Sequence, residues 1–426
     1  MRTRKLRNKI TAIAAAAMLV VSSMTVTAFA DSEKGVTDSG GNTVTITKDL
    51  KLVDADNPSF VPTVPNVKFK YSIAAVEAAD LGTAYKASTD SAYTKVKPGV
   101  AAALQATEGN IIFAPSNPVT TTATTNHVAS NTLEITFKPD EFSAAGVYRY
   151  KITETGNTNS NVTENLTDNF RYIDVYVKNT NSGNVISGYV VTKKAESTDP
   201  NAVLKTEGFT DDYQKYTEDA NTHVLTKSGS ETTVADVSTY TTYDLTVSKK
   251  VDGDLGDKSY GFGFSVAFTS EAADESMRKP DNNGVVLKTT HSAGTEIANK
   301  TIASNVASIG ATLKHNESIT IQGIPADTMK YVVTETAHTS DNYVVTAKAY
   351  ANASATDMTE TAVNSGATGA LEINKGAGKN AVEYTNTLAS VSPTGLVFKI
   401  MPYIIMIALA LVLGYVYLGR RNKANE

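Results

Sequence analysis

Two stretches, Val44-Thr-Ile-Thr-Lys48-Asp-Leu50 and Leu245-Thr-Val-Ser-Lys249-Lys-Val251, repeat one pattern of alternating polar and apolar residues. Successive side chains of a strand point to opposite faces, so each stretch predicts a β-strand with one apolar face. Lys48 and Lys249 fall on those apolar faces, where an ammonium group is costly to bury. The pattern therefore predicts two related β-units, each with a lysine at an unusual position.

Three further pairs of short segments repeat in the same order along the chain. The pairs are 69–73 with 262–266, 147–154 with 329–335, and 168–170 with 341–343. Polar and apolar residues alternate through most of the sequence, and clusters of Gly, Asn and Asp separate the alternating segments, as in strands joined by turns. We therefore predict an all-β protein with two tandem β-sandwich domains, at 42–240 and 241–388.

One segment of the first domain has no counterpart in the second. Residues 196–233 are polar and rich in Lys, Asp and Thr. Long insertions of this kind usually run over the surface of a domain. We therefore predict a long surface excursion.

Both ends of the chain have the features of export and anchoring segments. Basic residues precede an apolar stretch and Ala28-Phe29-Ala30, which predicts a signal peptide at 1–30, cleaved after Ala30, and a flexible lead at 31–41. No residue from Ile400 to Leu418 is charged, and basic residues follow, which predicts a transmembrane helix and a cytoplasmic tail within 396–426. The domains between these segments are expected outside the membrane.

The composition restricts the classes of function. The chain has a net charge of −5 and no cysteine, so an exported form cannot use disulfides. Its 5 histidines lack metal-ligand spacing, and no basic patch with interleaved aromatics suggests nucleic-acid binding. No phosphate loop or nucleophile motif is present. We therefore expect no cofactor, no metal and no nucleic-acid partner, and no motif points to an enzyme.

Three polar residues occupy core-facing positions of predicted strands in the second domain: Lys249, Glu335 and Asn386. Burial in one apolar pocket favours a neutral amine and a neutral acid. The Lys249 amine could then attack the Asn386 carboxamide while Glu335 transfers the proton, leaving an amide bond between the side chains and releasing ammonia. The alternative is that these are strand-end residues whose polar tips reach water. Periodicity alone does not separate the two interpretations.

The segment 389–395 precedes the apolar span and contains Val391-Ser392-Pro393-Thr394-Gly395. With the span and basic tail, it resembles the cell-wall sorting signal of Gram-positive surface proteins, usually Leu-Pro-any-Thr-Gly. Here Val391 and Ser392 replace the Leu and Pro, and Pro393 lies one place later. The resemblance implies that a sortase cleaves between Thr394 and Gly395 and passes the Thr394 carbonyl to an amine. The alternative is a permanent membrane anchor.

The chain also resembles the isopeptide-bonded pilin shaft domains of Gram-positive bacteria, in particular the streptococcal major pilins. The resemblance is carried by residues 47–53, 146–154, 245–251, 331–335 and 384–386. It implies two immunoglobulin-like (CnaB-type) domains, each locked by a self-formed Lys–Asn bond that a Glu assists. For the second domain it implies Lys249, Glu335 and Asn386.

For the first domain the resemblance implies Lys48 and Glu154, but the sequence departs from the family at the acyl donor. Alignment with Asn386 gives Ser238, whose hydroxyl cannot serve as an acyl donor. Asp236 shares its predicted face and could react with loss of water. Otherwise the first domain has no bond, or it uses an Asn elsewhere.

These resemblances predict a secreted pilus shaft subunit at the Gram-positive cell wall. Its partners would be a sortase, other copies of itself, tip or basal pilins, peptidoglycan, and the membrane during biogenesis. Polymerisation needs an acceptor lysine, and the insertion offers Lys205, Lys215 and Lys227, of which Lys227 is the first to test. The alternative is a monomeric cell-wall-anchored adhesin that binds host or matrix ligands. A third class, an exported hydrolase, lacks an acid–base or metal set.

Overall fold

The computed structural model describes most of the chain between the two ends. The described residues are 36–37, 41–78, 81, 96–164, 169–193, 202–222, 225–232, 237–270, 281–327, 329–336, 342–388 and 393–423. The predicted signal peptide at 1–30, most of the lead at 31–41, and Asp236 lie outside the described residues.

β-Strands form most of the regular structure, so the all-β prediction is confirmed. The strands of the first half are β1 (Val36–Thr37), β2 (Thr43–Asp54), β3 (Val67–Ala75), β4 (Val96–Pro98), β5 (Glu108–Phe113), β6 (Val119–Ala123), β7 (Asn126–Thr136), β8 (Gly146–Asn157), β9 (Val162–Thr163), β10 (Phe170–Thr180), β11 (Gly183–Lys193), β12 (Ala202–Lys205), β13 (Gly208–Phe209), β14 (Asp212–Glu218) and β15 (Leu225–Thr232).

The second half begins within one long strand. Its strands are β16 (Ser238–Asp252), β17 (Phe262–Ser270), β18 (Val286–His291), β19 (Lys300–Thr301), β20 (Val306–Leu313), β21 (Ser318–Pro325), β22 (Met329–Glu335), β23 (Val344–Ala349), β24 (Thr359–Thr361), β25 (Val363–Asn364), β26 (Ala367–Thr368), β27 (Leu371–Glu372) and β28 (Ala381–Thr387). A helix, α1 (Pro393–Lys423), follows.

Two sheets form the first domain. One is ten-stranded, in the order β15-β14-β12-β11-β10-β8-β3-β5, with β1 beside β11 and β4 beside β8. The other is built on β2, which pairs with β7 on one side and with β13 and the start of β16 on the other. Side chains from both sheets form one hydrophobic cluster, which includes Val44, Tyr150 and Tyr240.

The second domain repeats this arrangement. One layer runs β19-β18-β21-β16, and β28, β23 and β24 continue it on the other side of β16. The other layer runs β20-β17-β22-β26-β25, with β27 also beside β22. A separate hydrophobic cluster, which includes Leu245, Phe264 and Tyr384, fills the space between the layers.

Strand β16 belongs to both domains. Its first residues, Ser238 to Thr242, pair in parallel with β2 of the first domain, and Thr246 to Asp252 pair in parallel with β28 of the second. One uninterrupted strand therefore joins the domains. Hydrogen bonds between the domains support this joint, from Asn66 to Asn283, from Val286 to Thr63 and from Asp327 to Asn161.

The insertion differs from the surface excursion that the sequence predicts. Strands β12, β14 and β15 extend the ten-stranded sheet, and β13 pairs with β2. Phe209 of β13 is buried in the first hydrophobic cluster. The prediction is wrong because the few apolar side chains of this polar segment, among them Leu204, Tyr213 and Tyr216, are buried, so the segment packs as part of the sheet.

The C-terminal region also differs from its prediction. The helix begins at Pro393, so Thr394 and Gly395 belong to α1 and not to a linker that extends to 395. Within the described part of the chain, no helix combines the length and apolar character needed to cross a membrane, so the predicted transmembrane helix is not confirmed.

Candidate isopeptide sites

Lys249, Glu335 and Asn386 come together inside the second domain. Lys249 of β16 pairs with Tyr384 of β28, and Asn386 pairs with Val251. Positions two apart share one face of a strand, so Lys249 and Asn386 are neighbours on the core face. Glu335 ends β22 in the facing layer. The two layers of the sandwich thus place all three side chains in one pocket.

Glu335 is the centre of the contacts in this pocket. Its Oε1 accepts hydrogen bonds from Lys249 Nζ at 3.0 Å and from Asn386 Nδ2 at 2.6 Å. Lys249 is 1% exposed, Glu335 2% and Asn386 1%. This burial rules out the alternative interpretation, in which the polar tips of these side chains reach water. Asn386 Oδ1 and Glu335 Oε2 have no hydrogen-bond partner among the described residues.

Aromatic rings surround the Lys249 amine. Its Nζ lies 4.3 Å from the centroid of the Phe262 ring and 5.9 Å from that of Phe264. Burial lowers the pKa of Lys249 to about 8, although the neighbouring Glu335 carboxylate acts in the opposite direction. About one amine in ten is then uncharged at pH 7, far more than for an exposed lysine.

The strands around Lys48 in the first domain pair in the same register as the strands around Lys249 in the second. Lys48 lies two positions before Leu50, and Leu50 pairs with Ser238 on the parallel strand β16. Lys249 likewise lies two positions before Val251, the residue that pairs with Asn386. Ser238 therefore occupies the position in the first domain that Asn386 occupies in the second.

The glutamates correspond in the same way. Glu154 of β8 pairs with Tyr71 of β3, as Glu335 of β22 pairs with Phe264 of β17. Lys48 Nζ donates hydrogen bonds to Glu154 Oε2 at 2.9 Å and to Ser238 Oγ at 2.8 Å. Burial lowers the pKa of Lys48, although Glu154 opposes the shift. The first domain thus has the amine and the acid of the second-domain pocket, but a hydroxyl in place of the carboxamide.

Two residues of the first pocket were missed by the sequence analysis. The Tyr71 hydroxyl donates to Glu154 Oε2 at 2.9 Å, where the second domain has Phe264 without a hydroxyl. The buried Arg171 donates to Gly208 O at 2.8 Å and lies over the Phe209 ring. The repeat of 69–73 by 262–266 includes Tyr71, but a local repeat cannot identify the distant partner of its hydroxyl.

The candidate acceptor lysines differ in exposure. Lys205 is 6% exposed and its Nζ lies 4.2 Å from the centroid of the Tyr216 ring. Lys215 is half-buried on β14, whereas Lys227 is exposed on β15, the outermost described strand of the ten-stranded sheet. Of the three, Lys227 is the most accessible.

The joint between the domains holds a group of three carboxylates. Oxygens of Asp54, Asp56 and Asp244 lie within 4.8 Å of one another. Asp54 accepts the backbone N–H groups of Asp56 and Asn57, and Asp56 accepts that of Asp244. Asp54 and Asp56 thus hold the turn and the joint through these hydrogen bonds, and Asp244 adds a third carboxyl group beside them.

Stability should depend on pH through this joint. Burial raises the pKa of Asp244 to about 7, and the neighbouring Asp54 adds to the shift. The folded state then holds a proton that the unfolded state loses near pH 4, so stability falls as pH rises from about 4 to 7. Because Asp244 is only partly buried, solvent screening reduces the effect of this shift, and Asp244→Asn should raise the free energy of unfolding above pH 7 by about 1 kcal/mol.

Denaturant unfolding at several pH values would check this prediction. The advantage of Asp244→Asn should shrink steadily as the pH falls from 7 towards 4, since the wild-type carboxyl is then protonated in the folded state. Asp257→Asn, at an exposed carboxylate, is the matched control and should not change the pH profile in this range. If Asp244→Asn raised the free energy of unfolding by the same amount at every pH, the prediction would be contradicted.

The comparisons with known proteins agree with this architecture. A family model described as a domain of unknown function, DUF7601, matches residues 243–387. A search of curated protein sequences finds no match. The crystal structure of a mutant of the major pilin from Streptococcus pyogenes matches with a TM-score of 0.50 and 20% identity over 82% of this chain and 100% of that chain. A second S. pyogenes major pilin matches with a TM-score of 0.50 and 17% identity over 83% and 99%. The chain therefore has the fold of the streptococcal major pilins.

Proposed function

We propose that this protein is the shaft subunit of a sortase-assembled pilus on the surface of a Gram-positive cell, with a second domain locked by a Lys249–Asn386 isopeptide bond. One observation carries the proposal: an amine, an acid and a carboxamide meet in one buried pocket. The pilin fold and the sorting-like motif at 391–395 support the same function.

The reaction in this pocket balances without a cofactor. The uncharged Lys249 Nζ attacks Asn386 Cγ, while protonated Glu335 donates a hydrogen bond to Asn386 Oδ1; this needs a half-turn of the carboxamide from its present orientation. The Nζ–Cγ bond forms, the Cγ–Nδ2 bond breaks, and Glu335 transfers a proton from Nζ to the departing Nδ2. Ammonia leaves, and the reaction occurs once per molecule.

Burial favours this chemistry because it disfavours the charged form of the Lys249 amine. The two phenylalanine rings exclude water from the amine, and Glu335 contacts both reacting groups. Proximity in a fixed geometry replaces a slow bimolecular step. The resulting cross-link joins the strands at the start and end of the domain and needs no oxidant, which suits an exported chain without cysteine.

Wall extracts should contain a ladder of high-mass species that resists boiling in detergent, because each subunit would be joined to the next through Thr394 and a lysine. Lys227→Arg should collapse the ladder to a band of monomer size, since Lys227 is the exposed candidate and an arginine cannot accept the acyl group. An immunoblot of wall extracts measures both results.

Lys258→Arg, at an exposed lysine of the second domain, is the matched control and should leave the ladder intact. A monomer band alone from the unmutated protein would contradict polymerisation and favour the wall-anchored adhesin. A ladder that persists in Lys227→Arg would keep polymerisation and assign the acceptor to another lysine.

A further inference from the structure

Covalent connections decide which parts of a polymerised subunit are under tension. A pulling force follows the shortest covalent path between the two points at which a subunit is joined to its neighbours. Under the proposed function, on which this inference rests, those points are Lys227 and Thr394. The path between them can be traced from the sequence and the strand pairing.

The first domain lies almost entirely outside this path. Its core strands, from β2 to β13, all precede Lys227 in the sequence. Lys227 is on β15, and the chain then reaches Ser238, the first residue of β16. A force that enters at Lys227 therefore passes directly into the strand that leads to the second domain.

The second domain lies mostly outside the path as well. Strand β16 continues from Ser238 to Lys249, where the proposed bond crosses to Asn386. Residues 250–385 are then enclosed in a loop that tension cannot extend. From Asn386 the chain leaves β28 and reaches Thr394.

We infer that tension in the fibre passes only through residues 227–249, the Lys249–Asn386 bond and residues 386–394, so that the first domain is held beside the path without load. Five residue pairs between β16 and β2, with the contacts at the joint, attach that domain to the loaded strand. Under this inference a covalent bond at Asn386 has a mechanical role, whereas a bond at Ser238 would have none. This agrees with the carboxamide in the second pocket and the hydroxyl in the first.

The inference also assigns different roles to the two domains. The second domain transmits force, and its pocket is complete. The first domain contributes the ten-stranded sheet and the hairpin of β14 and β15, which presents Lys227. Because the first domain is not loaded, its stability need only hold the folded state against thermal unfolding.

Single-molecule pulling on the full chain in detergent tests the inference. The chain has no cysteine, so Lys227→Cys with Thr394→Cys gives two unique attachment points. No long unfolding step is expected, because neither domain lies in the path. With handles at Asn42→Cys and Thr394→Cys, the first domain is in the path and should unfold in a step of roughly 600 Å.

Adding Lys249→Ala to the first pair of handles removes the bond. The second domain should then unfold and lengthen the chain by roughly 450 Å. The mass of each sample, measured before pulling, shows whether ammonia has been lost. A long step between handles 227 and 394 in molecules that have lost ammonia would overturn the inference alone, whereas molecules with unchanged mass would overturn the proposed lock.

The position of the acceptor gives a second, independent outcome. Mass spectrometry of the cross-linked peptide from wall polymers identifies the lysine joined to Thr394. Lys227 agrees with the inference. Any other lysine would overturn the stated path while leaving polymerisation intact, because tension would then enter through other strands of the first domain or inside residues 250–385.

Discussion

The folded protein should weigh one ammonia less than its sequence requires. The loss is expected because Lys249, Glu335 and Asn386 are fully enclosed, with Glu335 in contact with both reacting groups. Lys249→Ala and Asn386→Ala should restore the full mass, since each removes one reacting group. Glu335→Ala should also restore it, because the carboxamide is then not polarised and the proton has no acceptor. Intact-mass spectrometry measures each result.

The three substitutions should also lower the thermal stability of the second domain. A bond that encloses residues 250–385 narrows the unfolded ensemble, which by the loop-entropy argument for disulfides contributes about 5 kcal/mol. The melting temperature should therefore fall by roughly 10–20 °C. Protease should begin to cleave the domain under conditions that leave the unmutated protein intact.

Glu335→Gln separates the proton transfer from the packing. Glutamine has nearly the same shape as glutamate and can still hydrogen-bond to Lys249 and Asn386. Its amide cannot donate or accept a proton near neutral pH, so it cannot transfer the proton from the amine. We expect a folded protein without loss of ammonia. Lys250→Ala, at the exposed neighbour of Lys249, is the matched control and should keep the loss. An unchanged mass in the folded, unmutated protein would leave the three residues as a hydrogen-bonded cluster only.

The alternation of the strands was enough to find the unusual residues of the second pocket. Lys249 follows Leu245 and Val247 on one face, and Asn386 follows Val382 and Tyr384. A period of two is a local property, so it can be seen without knowing which strands are neighbours. The same pattern predicted the all-β fold.

The pairing between distant strands could not be obtained in this way. The register that sets Lys249 beside Asn386, and Lys48 beside Ser238, depends on parallel contacts between strands at opposite ends of each domain. A shift of one residue would turn these side chains to the other face. The resemblance to pilins supplied that pairing as an expectation, and the structure places the residues accordingly.

Two further features depend on tertiary contacts. The hairpin of β14 and β15 is mostly polar in sequence, and although Tyr213 and Tyr216 of β14 are buried, the local pattern does not show which sheet they extend. Strand β16 is continuous through the predicted domain boundary at 240, where the sequence shows only the start of a second repeat. In both cases the backbone hydrogen bonds are made with neighbours that the local pattern does not identify.

A single substitution in the first domain, Ser238→Asn, should create a second isopeptide bond. Serine Oγ and asparagine Cγ are both bonded to Cβ, so in the same side-chain rotamer they occupy nearly the same place. Ser238 Oγ lies 2.8 Å from Lys48 Nζ, which is close to the separation of reacting atoms in a productive complex. The carboxamide carbon would then stand beside an amine whose pKa burial already lowers.

The variant should lose two molecules of ammonia in total, one from each domain, as measured by intact mass. Ser238→Asp should instead lose one ammonia and one water, a different mass that identifies the first pocket as the source. Adding Lys48→Ala or Glu154→Ala should cancel the second loss. Thr239→Asn, on the neighbouring outward-facing position of β16, is the matched control and should add no loss.

Tyr71 sets how completely the new bond forms. Its hydroxyl donates to Glu154 Oε2, the oxygen that also accepts from Lys48 Nζ, and so it competes with the new carboxamide for Glu154, whereas Glu335 Oε2 has no hydrogen-bond partner among the described residues. The Asn side chain is also larger than Ser in a site that is 1% exposed, so some crowding is expected. Tyr71→Phe removes the hydroxyl and reproduces the ring of Phe264. The combination of Ser238→Asn with Tyr71→Phe should therefore react more completely than Ser238→Asn alone.

If the folded double variant lost no second ammonia, the first pocket would lack the geometry that its register and distances indicate, and the correspondence of Ser238 with Asn386 would be one of position only.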